Sequence, residues 1–294
     1  MRTLALRLVH MGSEAGAYQS DPMAPVEDRL AESYLEICKL CMTRGSYRAS
    51  SRVRGSPKWL LHSAASFVVR RFGFELVRPV DPAERDQGSN FTTDAKTMVG
   101  TARLNNLQAC ATDVLRRGVP GDFIETGVWR GGASILMRAV LHAYGSTDRT
   151  VWVADSFQGL PKPNPARYPA DAKDELWKAT GLAVSLEEVK ANFAEYGLLD
   201  EQVRFLVGWF SETLPEAPIE RLAVLRLDGD LYESTMDALV SLYPRLSVGG
   251  YVIVDDYGAM ESCRQAVEDF RTERGITDAI ERIDWTGVYW RRSA

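Results

Sequence analysis

The sequence predicts an α/β protein built on an open, mainly parallel sheet that an antiparallel hairpin closes at one edge. Three observations carry this prediction. From Thr97 onward, segments with helical apolar spacing alternate with short apolar runs suited to buried strands. Four of those runs stop at a carboxylate, in "DFIE", "TVWVAD", "LAVLRLD" and "YVIVDD", and the carboxyl ends of parallel strands are where open α/β sheets bind ligands. Finally, "IERIDWTGVYWRR" holds two short runs around a turn containing Gly287, the pattern of a hairpin.

In order along the chain, residues 1–95 read as a helical N-terminal extension and lid region, and residues 96–294 as the sheet-forming domain. The extension contains a helix from Glu27 to about Thr43, the Ser/Arg-rich connector "RGSYRASSRVRGSP", and residues 58–77, "KWLLHSAASFVVRRFGFELV". The uninterrupted part of that last segment, Trp59 to Val69, is too short to span a membrane and reads as an amphipathic helix that packs on the main domain or a dimer partner, or else lies on a membrane surface. The polar stretch "VDPAERDQGSNFTTDAK" follows. The domain opens with "RLNNLQACATDVLRRGVPG", which puts Leu104, Leu107, Ala111, Val114 and Leu115 on one helical face and stops at Gly118 and Pro120. After the strand "DFIE" come a helix "GGASILMRAVLHAYG", a strand "TVWVAD", and a helix opened by a capping box of Ser185 and Glu188. Strands "VRFLV" and "LAVLRLD", a helix from about Ser234 to Leu246, the strand "YVIVD" and the helix "ESCRQAVEDFRTERG" complete the series.

Composition narrows the function classes. The 294 residues carry a net charge of −5, which argues against non-specific nucleic-acid binding. Four scattered cysteines do not make a disulfide framework, so a reducing, cytoplasmic setting is expected. Cys38 and Cys41 spell CxxC, but within helical apolar spacing and without a nearby histidine, so they read as structural thiols. The N-terminal "MRTLALRLVHMG" lacks the form of an export signal, and no stable membrane insertion is expected.

Chemistry concentrates at the strand ends. In "DFIETGVWRGGAS" a glycine-bearing turn follows Glu125; the spacing G-x-x-x-G-G is neither the dinucleotide fingerprint nor a phosphate loop. It reads equally as a cofactor-binding loop or as a tight strand-to-helix turn with no ligand. Asp155 ends the next strand, a position that commonly binds ribose hydroxyls in doubly wound folds. Gly208 and Trp209 follow the third strand, as a pocket wall or as core packing. Asp228, Gly229 and Asp230 end the fourth strand, and Asp255 and Asp256 the fifth. On neighbouring strands these acids would share one edge, and repulsion among carboxylates that close asks for a cation. Singly, each reads as well as a solvated strand end.

The segments "TMVGTARLNN", "GDFIETGVWRGGAS", "VADSFQGLP", "LDGDLYEST", "GGYVIVDDY" and "GVYW", in this order over about 200 residues, resemble the macrocin O-methyltransferase family of sugar-tailoring enzymes. The resemblance implies a Rossmann-like seven-stranded S-adenosylmethionine-dependent methyltransferase fold, a divalent metal such as Mg2+, a small-molecule glycoside acceptor and a homo-oligomer. It places Glu125, Gly127, Gly131 and the adjoining Gly132 at the methionine end of the cofactor and Asp155 at its ribose, with Thr126, Ser134 and Ser156 also in the cofactor site. Met98, Gly208, Trp209 and Asp228 also fall to the cofactor site, with Met98 and Arg103 in a lid element. Asp228, Asp255 and Asp256 become metal ligands, and Asp228, with Asp230 as the alternative, the base. A metal held by carboxylates can bind vicinal sugar oxygens and lower the pKa of one. A phenolic or catechol acceptor, or a glycolipid sugar, is the other acceptor class this chemistry admits. The Pro-, Lys- and Asp-rich insertion between Ser156 and Ser185 reads as an acceptor loop or as a solvated loop.

Overall fold

In the computed structural model, the described residues are 25–43, 50–52, 77–79, 81–89 and 94–294. The candidate amphipathic helix from Trp59 to Val69 lies outside them. In chain order the elements are α1 (Val26–Met42), β1 (Ser50–Arg52), β2 (Val77–Pro79), α2 (Pro82–Asp86), α3 (Thr101–Arg116), β3 (Asp122–Thr126), α4 (Gly132–Ala143) and β4 (Val151–Asp155). There follow α5 (Leu186–Glu195), β5 (Val203–Val207), α6 (Phe210–Thr213), β6 (Leu222–Leu227), α7 (Tyr232–Leu242), β7 (Leu246–Val254), α8 (Glu261–Glu273), β8 (Glu281–Arg282) and β9 (Val288–Arg291).

Strands β3 to β9 make one seven-stranded sheet in the order β5-β4-β3-β6-β7-β9-β8. The five strands from β5 to β7 run parallel, and the β8–β9 hairpin closes the edge antiparallel to β7. The chain order reverses between β3 and β6, which makes that gap the topological switch point where such sheets bind ligands. The inner strands β3, β4 and β6 are near-continuous apolar runs because both of their faces are covered. Phe123, Val153, Val224 and Ile253 face one core with α3, α4 and α5; Ile124, Ala154, Leu225, Val252 and Val254 face the other with α7 and α8.

Helix α1 buries Leu35, Cys38 and Met42 in the first of these cores and packs against α4. Three short elements stand where the sequence suggests only connectors: β1 pairs with β2, and α2 starts at Pro82 with Asp81 as its N-cap, Pro at the first helical position being favoured. Helix α7 ends at Leu242, four residues earlier than the pattern suggests. Pro244 follows in a 3-10 turn, Tyr243–Arg245, and a proline has no N–H to return to the preceding helical turn. β7 therefore begins at Leu246 and passes through Gly249 and Gly250, with a shift of register against β6. Ser185 caps α5 through the Glu188 N–H at 3.2 Å.

Candidate active site

The site is assembled by two turns and two acidic strand ends along the carboxyl edge of the sheet. The first turn, after β3, has left-handed φ values at Gly127 (83°), Trp129 (46°) and Gly131 (85°). Gly127 is required there because β3 and β6 approach so closely that a Cβ would stand 1.7 Å from the carbonyl oxygen of Asp228. Asp155, at the end of β4, clasps this turn to its own: its carboxylate accepts the N–H of Val128 at 2.8 Å and of Phe157 at 2.7 Å. Burial raises the Asp155 pKa, and these amide bonds oppose the rise. Ser156 is buried beside it and donates to the Gly159 carbonyl at 2.8 Å.

A cleft of about 460 Å³ opens over these turns, and Met98, Gly127, Asp155, Ser156, Gly208, Trp209, Asp228 and Asp230 line it. Trp209 is half-buried and faces this cleft rather than the core. Glu125, Thr126 and Ser134 do not reach the cleft; they are buried behind the turn. Ser134 Oγ donates to Glu125 Oε2 across the β3–α4 junction. Gly131 also lies behind it, where the start of α4 meets α5: a Cβ would fall 2.9 Å from Val189 Cγ1. Arg103 is likewise absent from the cleft lining; its side chain binds Asp255 and Asp284.

The insertion supplies the opposite wall through Leu160, Pro161, Lys162, Asn164 and Leu182. It is pinned by Asp171, whose fully buried carboxylate accepts the N–H groups of Tyr232 at 2.7 Å and Glu233 at 3.0 Å. A residue of the insertion thus caps α7, the helix that begins just after Asp230.

Asp228, Asp255 and Asp256 converge beside the cleft. Each offers a carboxylate oxygen, and these oxygens lie within 4.8 Å of one another; this is the group of potential metal ligands found among the described residues. Two guanidiniums reach it. Arg226 donates to Glu125 at 2.6 Å, to Asp228 at 2.7 Å and to Asp255, while Arg103 holds the other oxygen of Asp255. With Glu125 and Asp230, five carboxylates face these two cations, and Arg103 also serves Asp284 at 2.9 Å. The surplus negative charge registers in the acids. Burial first, then repulsion from Asp255, pushes Asp228 up to about 6; burial, then Asp228, pushes Asp230 up to about 7. Burial raises Asp256 well above the usual carboxylate range, with Asp230, Asp228 and Asp255 adding to it. Oxygen donors with excess negative charge at one edge fit a hard divalent cation.

The family model for macrocin-O-methyltransferase (TylF) matches residues 31–292. The chain belongs to this family, and it is an O-methyltransferase. Among curated relatives of the family, the 8-demethyl-8-(2,3-dimethoxy-alpha-L-rhamnosyl)-tetracenomycin-C 4'-O-methyltransferase of Streptomyces olivaceus is 57% identical over 227 residues, covering 77% of this chain and 86% of the relative. The mycinamicin III 3''-O-methyltransferase of Micromonospora griseorubida is 50% identical over 266 residues, 90% of this chain and 97% of the relative. The solved structure of the O-methyltransferase NovP superposes with a TM-score of 0.79 at 46% identity, covering 90% of this chain and all of that one. Calicheamicin methyltransferase CalS11, at 20% identity and a TM-score of 0.54, shares the fold. Among the described residues, no helix is long and apolar enough to cross a membrane.

Two residues of the site escape the strand-end reading. Arg226 interrupts an apolar run, which was its signal: its pairing opposite Glu125 follows from parity once β3 and β6 are neighbours. Asp171 sits in an irregular insertion with no periodicity to place it.

Proposed function

We propose that the protein methylates a hydroxyl of a sugar carried by a natural product, using S-adenosylmethionine and a divalent cation such as Mg2+, with Asp228 as the base. The observation that carries the reading is the convergence of Asp228, Asp255 and Asp256 beside a cleft whose wall includes Gly127, Asp155 and Trp209. The rhamnosyl group in the name of the Streptomyces olivaceus relative supports a deoxysugar acceptor.

When bound, S-adenosylmethionine supplies a methyl group on a sulfonium sulfur, and the cation supplies Lewis acidity for the acceptor oxygens. On this reading Met98, Asp155, Ser156, Gly208 and Trp209 hold the cofactor along the cleft, Asp155 towards the ribose. Glu125, Thr126, Gly127, Gly131 and Ser134 shape the turn that receives its methionine end. Asp228, Asp255 and Asp256 hold the cation. Asp228 would accept the proton of the acceptor hydroxyl as that oxygen bonds to the methyl carbon and the carbon–sulfur bond breaks, the sulfur leaving as a neutral thioether with the bonding pair, and would later release the proton to solvent. Asp230 stands next to it at the cleft wall and is the alternative base.

Calorimetric titration of S-adenosylmethionine, followed by turnover with rhamnosylated acceptors and with small catechols, tests the reading. Binding of the cofactor and methylation of the glycosides are expected, with Asp228→Asn slowing turnover by at least ~10²-fold at unchanged fold, as for loss of a general base. Turnover of catechols alone would replace the sugar with a phenol, and absence of cofactor binding would overturn the site.

A further inference from the structure

We propose that Arg226, assisted by Arg103, is a positioning residue of the acidic seat, holding Asp228 and Asp255 in the arrangement that a divalent cation requires. This rests on the metal-assisted reading above.

Arg226 lies in the central strand β6 and is 1% exposed. Its register pairs it with Glu125 on β3 and with Ile253 on β7, so its side chain emerges between two acidic strand ends. One amino group, Nη1, donates to Glu125 Oε1 at 2.6 Å and to Asp228 Oδ2 at 2.7 Å, and Nη2 donates to Asp255 Oδ1. A single planar fork thereby ties together carboxylates at the ends of three adjacent strands. Arg103 completes the hold from α3, donating through Nη1 to Asp255 Oδ2 and through Nε to Asp284 Oδ2 at 2.9 Å. Asp284 is itself anchored by the N–H groups of Thr286 and Gly287 at 3.0 and 2.7 Å. Thr286 Oγ1 donates to the Asp255 carbonyl at 2.8 Å. Both oxygens and the backbone of Asp255 are therefore fixed before any ligand arrives.

A counter-ion alone would need only charge, which a lysine also carries. The structure instead uses the fork, whose rigid donors can serve several carboxylates at set angles where an ammonium acts as a point charge. The two roles predict opposite signs. A cation next to a metal seat repels the metal, so if Arg226 acts by charge alone its loss tightens metal binding; if it positions ligands, loss of the fork weakens binding even when the charge remains.

The test is Mn2+ binding, followed by the electron paramagnetic resonance of the free ion and by calorimetry, on the wild type, Arg226→Lys and Arg103→Lys. Near-ultraviolet circular dichroism and S-adenosylmethionine binding serve as checks on the fold. Both lysine variants are expected to bind Mn2+ at least ~10-fold more weakly, as when groups supporting metal ligands are removed, and to lose kcat with little change in the KM for S-adenosylmethionine. Wild-type or tighter Mn2+ affinity in the lysine variants would overturn the proposal. Should Arg226→Lys fail to fold, Arg103→Lys leaves the central strand intact and carries the same two outcomes. A wild-type protein that takes up no Mn2+ would overturn the metal reading and this proposal with it.

Discussion

At the scale of single residues, Gly127 carries the tightest constraint in the site. Its φ of 83° and the 1.7 Å approach of a Cβ to the Asp228 carbonyl oxygen leave no room for a side chain, because the obstacle is backbone and cannot rotate away. Gly127→Ala is expected to destabilise the fold by about 2–4 kcal/mol, strain and clash together, measured by urea unfolding, and to displace β6 just where Asp228 begins. Other residues with left-handed backbones cluster at the same edge: Trp129, Phe157 and Asp230 at φ 46°, 56° and 58°. The acids at the strand ends were legible in the sequence, since a carboxylate closing an apolar run is an unusual residue in a predictable place. Their internal pairing was not. That Glu125 answers to Arg226 and Ser134, and stays out of the cleft, depends on which strands are neighbours and on the parity of the face, neither of which a linear pattern fixes.

Among the elements, the junction between the insertion and α7 governs one wall of the cleft. Asp171 caps α7 from a distant part of the chain, and the ring of Tyr168 lies 5.9 Å from that of Tyr232. Asp171→Ala leaves two half-buried helix N–H groups without their side-chain partner. It is expected to cost about 1–2 kcal/mol by urea unfolding and to raise the KM of the acceptor more than that of S-adenosylmethionine, because the wall that moves belongs to the insertion. Helices and strands with strong periodicity followed from the sequence nearly to their ends, as with α3, where Gly118 closes the pattern. The insertion did not, because its order comes from a buried carboxylate and from 3-10 turns that carry no repeating signal. The early end of α7 shows the same limit: apolar spacing continues past Pro244, but the missing N–H ends the helix.

For the whole molecule, the sheet gathers acids from β3, β6 and β7 at one buried edge, and this charge links stability to pH. Glu125 is held at about 7, chiefly by burial and against the pull of Arg226; burial also raises Asp228, Asp230 and Asp256. Acids with folded-state pKa values above their unfolded ones bind more protons in the native state, so the metal-free protein loses stability as pH rises through those values. Its melting temperature is expected to fall by several degrees between pH 5 and pH 7.5, and Mg2+ at the higher pH to restore it, because a cation that binds the native state alone stabilises it. A melting temperature that rises over this range, or ignores Mg2+, would contradict that balance. The metal dependence of the acidic edge is decided by the initial rate of methyl transfer to a rhamnosylated acceptor, measured with chelator and then with added Mg2+, in the wild type and in Asp256→Asn. Metal-assisted catalysis predicts a rate lost to the chelator, restored by Mg2+ in the wild type, and not restored in the variant. An unchanged rate in chelator would show that the acids at the ends of β6 and β7 catalyse without a metal.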